Sequence, residues 1–251
     1  MFWQILVLLA ILASTSFAAP TKKVLVILSG EHTLKLKDAK TFETGFYLNE
    51  FAVPAQALMD AGYTLTVATP NGSAPSLDAG SDSPKYFHGD QSAYQKAKAL
   101  VGTFNARSLV SISDSELGDY AAVFFPGGHA PMIDLYRSKE VARVLAFFHQ
   151  HSRTTALICH GPVSLLSVGK PFLYQGYRLT VFSNEEEKVA EAKKLGGEMV
   201  FHPETALKEA GAKLEVGVPG SSHVVVDREL ITGQNPASDE EFSNALLGKL
   251  K

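Results

Sequence analysis

Short apolar runs alternate along this chain with segments whose apolar residues recur at helical spacing. Residues 24–28 form a continuous apolar run, which is typical of a parallel strand buried on both faces. The apolar residues between Phe46 and Leu58 then fall on one helix face, and Gly62 marks the end of that helix before a second strand at residues 64–68. The first quarter of the chain therefore predicts a βαβ unit.

The same alternation continues towards the C-terminus. Further strands are predicted at residues 121–125, 155–158, 178–182, 223–226 and 230–232, and further helices after the capping residue Ser138 and at residues 184–195 and 238–247. Residues 71–119 form an insertion with one predicted helix, 93–101, and such insertions often cover a site. The pattern predicts an α/β fold in which helices sandwich a doubly wound, mostly parallel sheet, a three-layer flavodoxin-like single domain with an inserted helical loop.

The N-terminal segment has the pattern of a secretion signal. Residues 1–18 carry no charge, contain an apolar run from Ile5 to Ala13, and end in Ser16-Phe17-Ala18, which has small residues at the two positions that a signal peptidase recognises. The apolar run is shorter than the about 20 residues that span a bilayer. We therefore expect a signal peptide at residues 1–18 that is cleaved, export to the periplasm or the medium, and no stable membrane insertion.

Charge and composition exclude some classes of partner. The net charge is -3 and no cluster of Lys and Arg stands out, so nucleic acid is not an expected partner. No glycine-rich phosphate loop follows a predicted strand, so a nucleotide cofactor is not indicated. The single cysteine, Cys159, cannot form a disulfide within the chain, and its thiol is either an inert buried group or a functional one.

Cys159 lies where a strand is predicted to end and where Gly161-Pro162 is predicted to begin a helix, which places the thiol on a tight elbow. The N-terminal amides of a helix lower a thiol pKa from about 8.5 towards about 3.5 to 7.5, so the sequence predicts a resting thiolate. Gly127 and Gly128 follow the 121–125 strand and allow a loop to approach a substrate closely. The N–H groups of Gly128 and His160 are the candidate oxyanion donors in this arrangement.

Three segments, residues 124–135, 156–162 and 232–238, resemble the ThiJ/PfpI superfamily, which has the class I glutamine amidotransferase-like fold. The insertion and the Cys-His-Gly-Pro elbow are most similar to the branch of cofactor-independent glyoxalases that also act as stress chaperones. The resemblance covers residues 22–248. It implies a small dicarbonyl or aldehyde substrate, unfolded protein clients, a homodimer, and no metal or organic cofactor.

The family pattern places an acid on the first helix, four residues before a proline and against the nucleophilic sulfur. Glu50 and Pro54 match this pattern. Because Glu50 shares a helix face with Phe46 and Leu58, we expect its carboxyl to point inward, where burial favours the protonated form.

The resemblance also implies that the histidine after the nucleophile is a base with an acidic partner beyond the next strand. His160 matches the base, and Glu187 is the nearest candidate for the acid. Asn184 and Glu187 also match a helix-capping pair, so both roles for Glu187 remain open. Residues 201–204 resemble a segment that completes the triad of class I glutamine amidotransferases, but a surface turn before a short helix is the favoured interpretation.

The favoured hypothesis is a glutathione-independent glyoxalase. In this scheme Cys159 adds to the aldehyde of methylglyoxal, Glu50 and His160 move a proton between adjacent carbons, and water releases lactate. One alternative is a holding chaperone or thiol redox sensor. Another is a hydrolase of small esters, amides or peptides that uses the same cysteine.

Overall fold

A seven-stranded sheet runs through the computed structural model, which describes residues 22–251. The predicted signal peptide, residues 1–18, lies outside the described residues. The strands in this range are β1 Lys23–Ile27, β2 Thr33–Lys35, β3 Thr41–Glu43, β4 Thr64–Thr69, β5 Arg107–Ser108, β6 Ala122–Phe125, β7 Thr154–Ile158, β8 Arg178–Leu179, β9 Lys213–Leu214, β10 Val224–Asp227 and β11 Leu230–Gly233. The α-helices are α1 Leu48–Asp60, α2 Gln91–Val101, α3 Asp114–Leu117, α4 Lys139–Gln150, α5 Asn184–Ala190, α6 Pro203–Ala210 and α7 Asp239–Lys249. None of these helices has both the length and the hydrophobicity that a bilayer span requires.

The main sheet has the strand order β10-β11-β7-β6-β1-β4-β5. All neighbouring pairs are parallel except β10 and β11, which form an antiparallel hairpin at one edge. The carboxyl ends of β1, β6, β7 and β11 therefore meet at one edge of the sheet, where ligands of open α/β folds bind. The predicted mostly parallel sheet is confirmed.

Alternate residues of the central strands enter two different hydrophobic cores. Val24 and Val26 of β1 pack in the core that α1 and α7 cover. Leu25 and Ile27 pack in the core that α4 covers on the opposite face. Because both faces of the sheet are buried, its strands are apolar throughout, and the predicted three-layer arrangement is confirmed.

Helix α4 follows the predicted pattern. The Ser138 side chain accepts a hydrogen bond from the Val141 N–H and caps the helix. The apolar stripe of α4 is completely buried against the sheet, and its members are Val141, Val144, Leu145 and Phe148.

The prediction of a strand at residues 178–182 is wrong for most of its length. Only Arg178 and Leu179 are extended in a ladder, and they pair with β9 in a separate two-stranded sheet. Beyond them, the Thr180 N–H donates to the Thr232 hydroxyl, and the Phe182 N–H donates to the carbonyl of Cys159. The chain leaves the ladder because these bonds direct it across the sheet edge towards the elbow.

Two predicted helices differ in their geometry. The segment after the elbow is a 3-10 helix, Gly161–Val168, rather than an α-helix. The predicted helix at 184–195 is α-helical as far as Ala190 and continues as a π-helix, Glu191–Leu195, which ends at Gly196 in the left-handed conformation. Nothing in the sequence pattern explains the change to π geometry.

The insertion at residues 71–119 contains more structure than the single predicted helix. Besides α2, it contributes α3 and the short strand β5, which extends the main sheet beyond β4. Asp78 in the insertion accepts hydrogen bonds from the Thr44 hydroxyl and from Lys194, whose Nζ is 3.1 Å from each carboxyl oxygen. These contacts hold the insertion over the carboxyl edge of the sheet.

Replacement of Phe148 by Ala should lower the free energy of unfolding by roughly 3–5 kcal/mol, because it empties a fully buried position between α4 and the sheet. Urea unfolding followed by circular dichroism measures the change. Replacement of the 70% exposed Val110 by Ala is the control and should change stability by less than about 0.5 kcal/mol. Equal losses in the two variants would contradict the assigned core.

Candidate active site

Cys159 occupies a strained elbow directly after β7. Its backbone is left-handed, with φ +59°, which is uncommon for a residue other than glycine. The Cys159 N–H donates to the Gly233 carbonyl at 2.8 Å, and the Cys159 carbonyl accepts from the Phe182 N–H at 3.0 Å. A Cβ on Gly161 would lie 2.5 Å from the Phe125 carbonyl oxygen, so only glycine fits after the turn. The predicted elbow at the carboxyl edge of the sheet is therefore present.

The Gly127-Gly128 loop after β6 packs against the elbow. A Cβ on Gly127 would lie 2.5 Å from the Cβ of Cys159 and 2.6 Å from Oε2 of Glu50, so a side chain has no room there. Gly128 has φ +82°, and its N–H contacts the sulfur of Cys159. The Gly127 N–H is directed at the Glu50 carboxyl instead. Of the two glycines, Gly128 is therefore the one placed to donate to a substrate oxygen.

Glu50 is completely buried on α1, and its carboxyl contacts the Cys159 thiol. Neither carboxyl oxygen of Glu50 has a hydrogen-bond partner of normal length and angle among the described residues. The contact with the thiol therefore offsets only part of the free-energy cost of burying this carboxyl. Burial raises the pKa of Glu50 to about 8, and the charges of Asp239 and Asp78 act in the same direction. The predicted inward, protonated carboxyl agrees with this geometry.

The pKa of the Cys159 thiol differs from the sequence prediction. Burial raises this pKa well above its usual range, Glu50 raises it further once its own carboxyl ionises, and the Gly128 N–H only partly opposes the rise. The 3-10 helix that follows aligns fewer peptide dipoles on the sulfur than the predicted α-helix would. The prediction of a resting thiolate is therefore wrong, and the thiol is the resting form.

His160 links the thiol to a buried carboxylate. Its Nδ1 is 3.2 Å from the Cys159 sulfur, and its Nε2 is 2.9 Å from Oε2 of Glu187. Burial lowers the pKa of His160 to about 4, with a further contribution from His129, so the ring is neutral at pH 7. Its hydrogen-bond partners assign the tautomer: Nε2–H donates to Glu187, and Nδ1 accepts from the thiol.

The structure separates the two roles that the sequence left open for Glu187. The N-cap of α5 is Ser183, and its capping-box partner is Glu186. Glu187 is fully buried and faces the histidines instead. Although burial alone would raise the pKa of Glu187, His160 and His129 lower it below the usual range, so the group is a carboxylate. Cys159, His160 and Glu187 form a hydrogen-bonded triad.

His129 is a site residue that the sequence interpretation did not assign. Its Nε2 is 3.0 Å from Oε1 of Glu187, and its ring centroid is 4.0 Å from that of His160. The Gly-Gly-His sequence indicated a loop near the elbow, but no local pattern shows that this ring shares a carboxylate with a residue 58 positions away.

His129, His160 and Glu187 also place three potential metal-ligand atoms within 4.8 Å of one another. Each ring Nε2 already lies at hydrogen-bond distance from a Glu187 oxygen, and all three side chains are buried. A cation would have to displace both ring protons in order to bind there. The arrangement therefore fits a proton network better than a metal centre.

Glu186 joins the segments that form one wall of the site. Its carboxylate accepts hydrogen bonds from the N–H and hydroxyl of Ser183, the Gly220 N–H, and the side-chain amides of Gln234 and Asn235. Gln234 and Asn235 belong to the segment 232–238 that carried part of the family resemblance. In this structure the segment 232–238 holds the cavity wall beside Glu187 in place.

A cavity of about 820 Å³ opens over the triad. Gly128, His129, Cys159 and His160 line its base. Tyr47 and the insertion residue Tyr86 also line it, and their hydroxyls are 2.8 Å apart. Other residues of the wall include the basic side chains Lys85, Lys193 and Lys194. The insertion therefore covers the site, as its position in the sequence led us to expect.

Comparisons with known proteins agree with this architecture. The model of the DJ-1/PfpI family matches residues 41–249. The protein/nucleic acid deglycase HchA of Staphylococcus aureus strain MSSA476 is 31% identical over 236 residues, which cover 91% of this chain and 78% of that protein. The name of this relative includes nucleic acid, whereas the charge of the present chain does not favour such a partner.

Solved structures show the same fold. The Rapid Encystment Protein 24 KDa of Francisella tularensis superposes with a TM-score of 0.74 at 25% identity, covering 92% of this chain and 99% of that one. Glyoxalase III of Candida albicans superposes with a TM-score of 0.70 at 20% identity, covering 92% and 98%. With a family model and a curated relative that both span most of its length, this chain belongs to the DJ-1/PfpI family.

Proposed function

We propose that this chain is a glutathione-independent glyoxalase that converts methylglyoxal to lactate through Cys159. The supporting observation is the triad, in which the Cys159 sulfur is 3.2 Å from a neutral His160 whose other nitrogen is held by Glu187. Relatives named as a deglycase and as glyoxalase III support chemistry on dicarbonyl compounds or their adducts.

In the first step His160 Nδ1 takes the thiol proton while the sulfur attacks the aldehyde carbon, C1, of methylglyoxal. The Glu187 carboxylate stabilises the imidazolium that forms. The Gly128 N–H donates to the developing oxyanion, which then takes the thiol proton from the His160 imidazolium and completes a hemithioacetal. The resting thiol needs no separate activation, because its base is already in contact with it.

The hemithioacetal then isomerises and hydrolyses. A proton leaves C1 and another arrives at C2 through an enediol, which gives a lactoyl thioester on Cys159. Water cleaves the thioester and returns the thiol, so methylglyoxal and water yield lactate without an external oxidant or reductant. Glu50, protonated at pH 7, is placed to donate to the sulfur when it departs from the thioester.

A second candidate function is removal of methylglyoxal adducts from larger molecules. The cavity of about 820 Å³ lies towards the upper end of the roughly 300–1,000 Å³ typical of ligand sites, whereas methylglyoxal is a three-carbon compound. Lys85 and Lys193 are exposed at the cavity wall, where they can contact an anionic group of such a molecule. With an adduct, the Cys159 sulfur would form its bond to C1 as the bond from C1 to the sulfur or nitrogen of the larger molecule breaks, and the released group would take the thiol proton through His160.

Replacement of Cys159 by Ser or Ala should lower lactate formation from methylglyoxal by at least about 10³-fold, because Ala has no nucleophile and the Ser hydroxyl is a much weaker one than the thiol. The assay contains no glutathione or added metal and measures lactate by chromatography. As Cys159 is the only cysteine, iodoacetamide labelling of the wild type gives an independent control and should cause the same loss. Full turnover in the alanine variant would exclude the proposed function.

Replacement of Glu50 by Gln should increase stability relative to wild type as the pH rises. The pKa of Glu50 is about 8 in the folded protein against an ordinary 4.5, so the folded wild type holds the extra proton between these values and loses stability as the pH increases. The Glu50→Gln variant has no carboxyl at this position, so its stability does not fall with pH for this reason. Urea unfolding from about pH 5 to pH 8 should show the difference growing by a few kcal/mol at most.

The matched control for this series is replacement of the exposed Glu209 by Gln, which should leave the pH dependence of the wild type unchanged. If the Glu50 variant and the wild type kept a constant difference across this range, the assigned protonation of Glu50 would be incorrect.

The adduct of methylglyoxal with N-acetylcysteine separates the two candidate functions. A direct deglycase should consume this adduct faster than it dissociates on its own, whereas an enzyme that acts only on free methylglyoxal cannot exceed the dissociation rate. Nuclear magnetic resonance of the adduct, with and without protein, measures both rates. If the protein did not raise the rate of adduct consumption above the rate of spontaneous dissociation, the deglycase candidate would be excluded for this adduct.

A further inference from the structure

The proposed glyoxalase reaction requires a base for carbon as well as a base for sulfur. One base deprotonates the thiol, and a base must also carry the proton from C1 to C2 in the hemithioacetal. In the resting site His160 Nδ1 contacts Cys159 and Nε2 contacts Glu187; after the sulfur has bonded to C1, Nδ1 is the nitrogen that can exchange protons with the two substrate oxygens. The following inference rests on the proposed function and concerns the residue that serves the carbon.

Most other acidic groups around the cavity are engaged. Glu186 accepts five hydrogen bonds, from Ser183 N–H and hydroxyl, Gly220 N–H and the amides of Gln234 and Asn235. Asp239 accepts from the Asn49 amide at 2.7 Å and from the Glu240 N–H at 2.7 Å. Glu186 and Asp239 are therefore held in the cavity wall by these hydrogen bonds, and their carboxylates are not free to act as the base.

Glu50 is poorly placed to receive a proton from carbon. It is completely buried and is not among the described residues that line the cavity. Gly127 lies against its carboxyl, and that carboxyl already carries a proton at pH 7. The assignment of carbon proton transfer to Glu50 from the sequence is therefore not the arrangement that the contacts favour.

His129 has the free nitrogen that the reaction needs. The Glu187 carboxylate can only accept hydrogen bonds, so the His129 Nε2 that lies 3.0 Å from it carries the proton. In the neutral ring Nδ1 is then an acceptor, and it is buried without a hydrogen-bond partner among the described residues. Burial of an acceptor without a partner is unfavourable, and a catalytic role is one explanation for such an atom.

The position of His129 also fits this role. The ring lines the cavity, and its centroid is 4.0 Å from the ring of His160, which contacts the sulfur. The preceding residue, Gly128, contacts the sulfur through its N–H. Because C1 of the hemithioacetal is bonded directly to the sulfur, C1 and its hydroxyl form within the space that these residues enclose.

We propose that His129 is a catalytic residue, the base that transfers the proton from C1 to C2 of the hemithioacetal. Nδ1 of His129 takes the C1 proton, and the electron pair of the broken C–H bond forms the C1–C2 double bond of an enediolate whose negative charge lies on the C2 oxygen. His160 Nδ1 takes the proton of the C1 hydroxyl and passes it to the C2 oxygen. The imidazolium of His129 then returns its proton to C2 as the bond from C1 to its oxygen becomes the thioester carbonyl. Glu187 stabilises both positive rings in turn.

The test uses two substitutions that separate catalysis from positioning. His129→Gln places an amide N–H where Nε2 donates to Glu187 but has no basic nitrogen, whereas His129→Phe removes both functions. The matched control is His202→Gln, because His202 Nε2 makes a comparable contact with Glu191 at 2.9 Å outside the cavity. Each variant is assayed for lactate formation and for protection of Cys159 from iodoacetamide by methylglyoxal, which reports the hemithioacetal.

The proposal expects His129→Gln and His129→Phe to lose at least about 100-fold in lactate formation, as for removal of a general base. His129→Gln should keep the protection of Cys159 within about 3-fold of wild type, and His202→Gln should keep both activities. If circular dichroism shows that His129→Gln is unfolded, His129→Asn takes its place, because it removes the same base with a smaller side chain.

Other outcomes overturn the proposal in distinguishable ways. Lactate formation by His129→Gln within about 3-fold of wild type would show that His129 only positions Glu187. Loss of protection together with lactate would place its role in adduct formation. If wild type forms the adduct but no lactate, the glyoxalase function itself fails and the role of His129 falls with it.

Discussion

The left-handed backbone of Cys159 is the constraint on which the rest of the site depends. A residue with a side chain pays of order 1–3 kcal/mol for such a conformation, so neighbouring structure must hold it in place. Hydrogen bonds to Gly233 on one side and from Phe182 on the other do so. With the elbow fixed, the sulfur faces the Gly127-Gly128 loop, and glycine becomes necessary at 127 and 161 because a Cβ would collide with the opposing backbone or side chain.

The fold could be predicted because each strand and helix has a recognisable pattern of apolar residues in its own segment of the sequence. The apolar runs of the buried strands and the stripe of α4 have the periods of their secondary structures, and parallel strands bring their carboxyl ends together. Cys159 could be found by the same logic, since it follows a buried strand, whereas Glu50 was found from the family pattern and only its inward direction follows from the apolar face of α1. The family resemblance supplied the partner acid, Glu187.

The features that escaped prediction depend on contacts between distant segments. Residues 180–182 have the composition of a strand, but their N–H groups find partners at Thr232 and Cys159 instead of in a ladder. The thiol pKa follows from complete burial beside Glu50, which outweighs the dipole of a short 3-10 helix. As a result Cys159, Glu50 and His160 are neutral at pH 7 beside the Glu187 carboxylate, to which His129 and His160 donate.

The five hydrogen bonds on Glu186 have a consequence for how this architecture can change over evolution. They tie Ser183, Gly220, Gln234 and Asn235 to one buried carboxylate, so a substitution in any of these segments strains the others. The insertion is also anchored by buried residues such as Phe87 and Leu109, but it presents the exposed side chain of Lys85 at the cavity wall. A substitution at such an exposed position disturbs few partners. Descendants of this chain are therefore free to diversify the exposed positions of the cavity wall while the side that carries the chemistry stays unchanged.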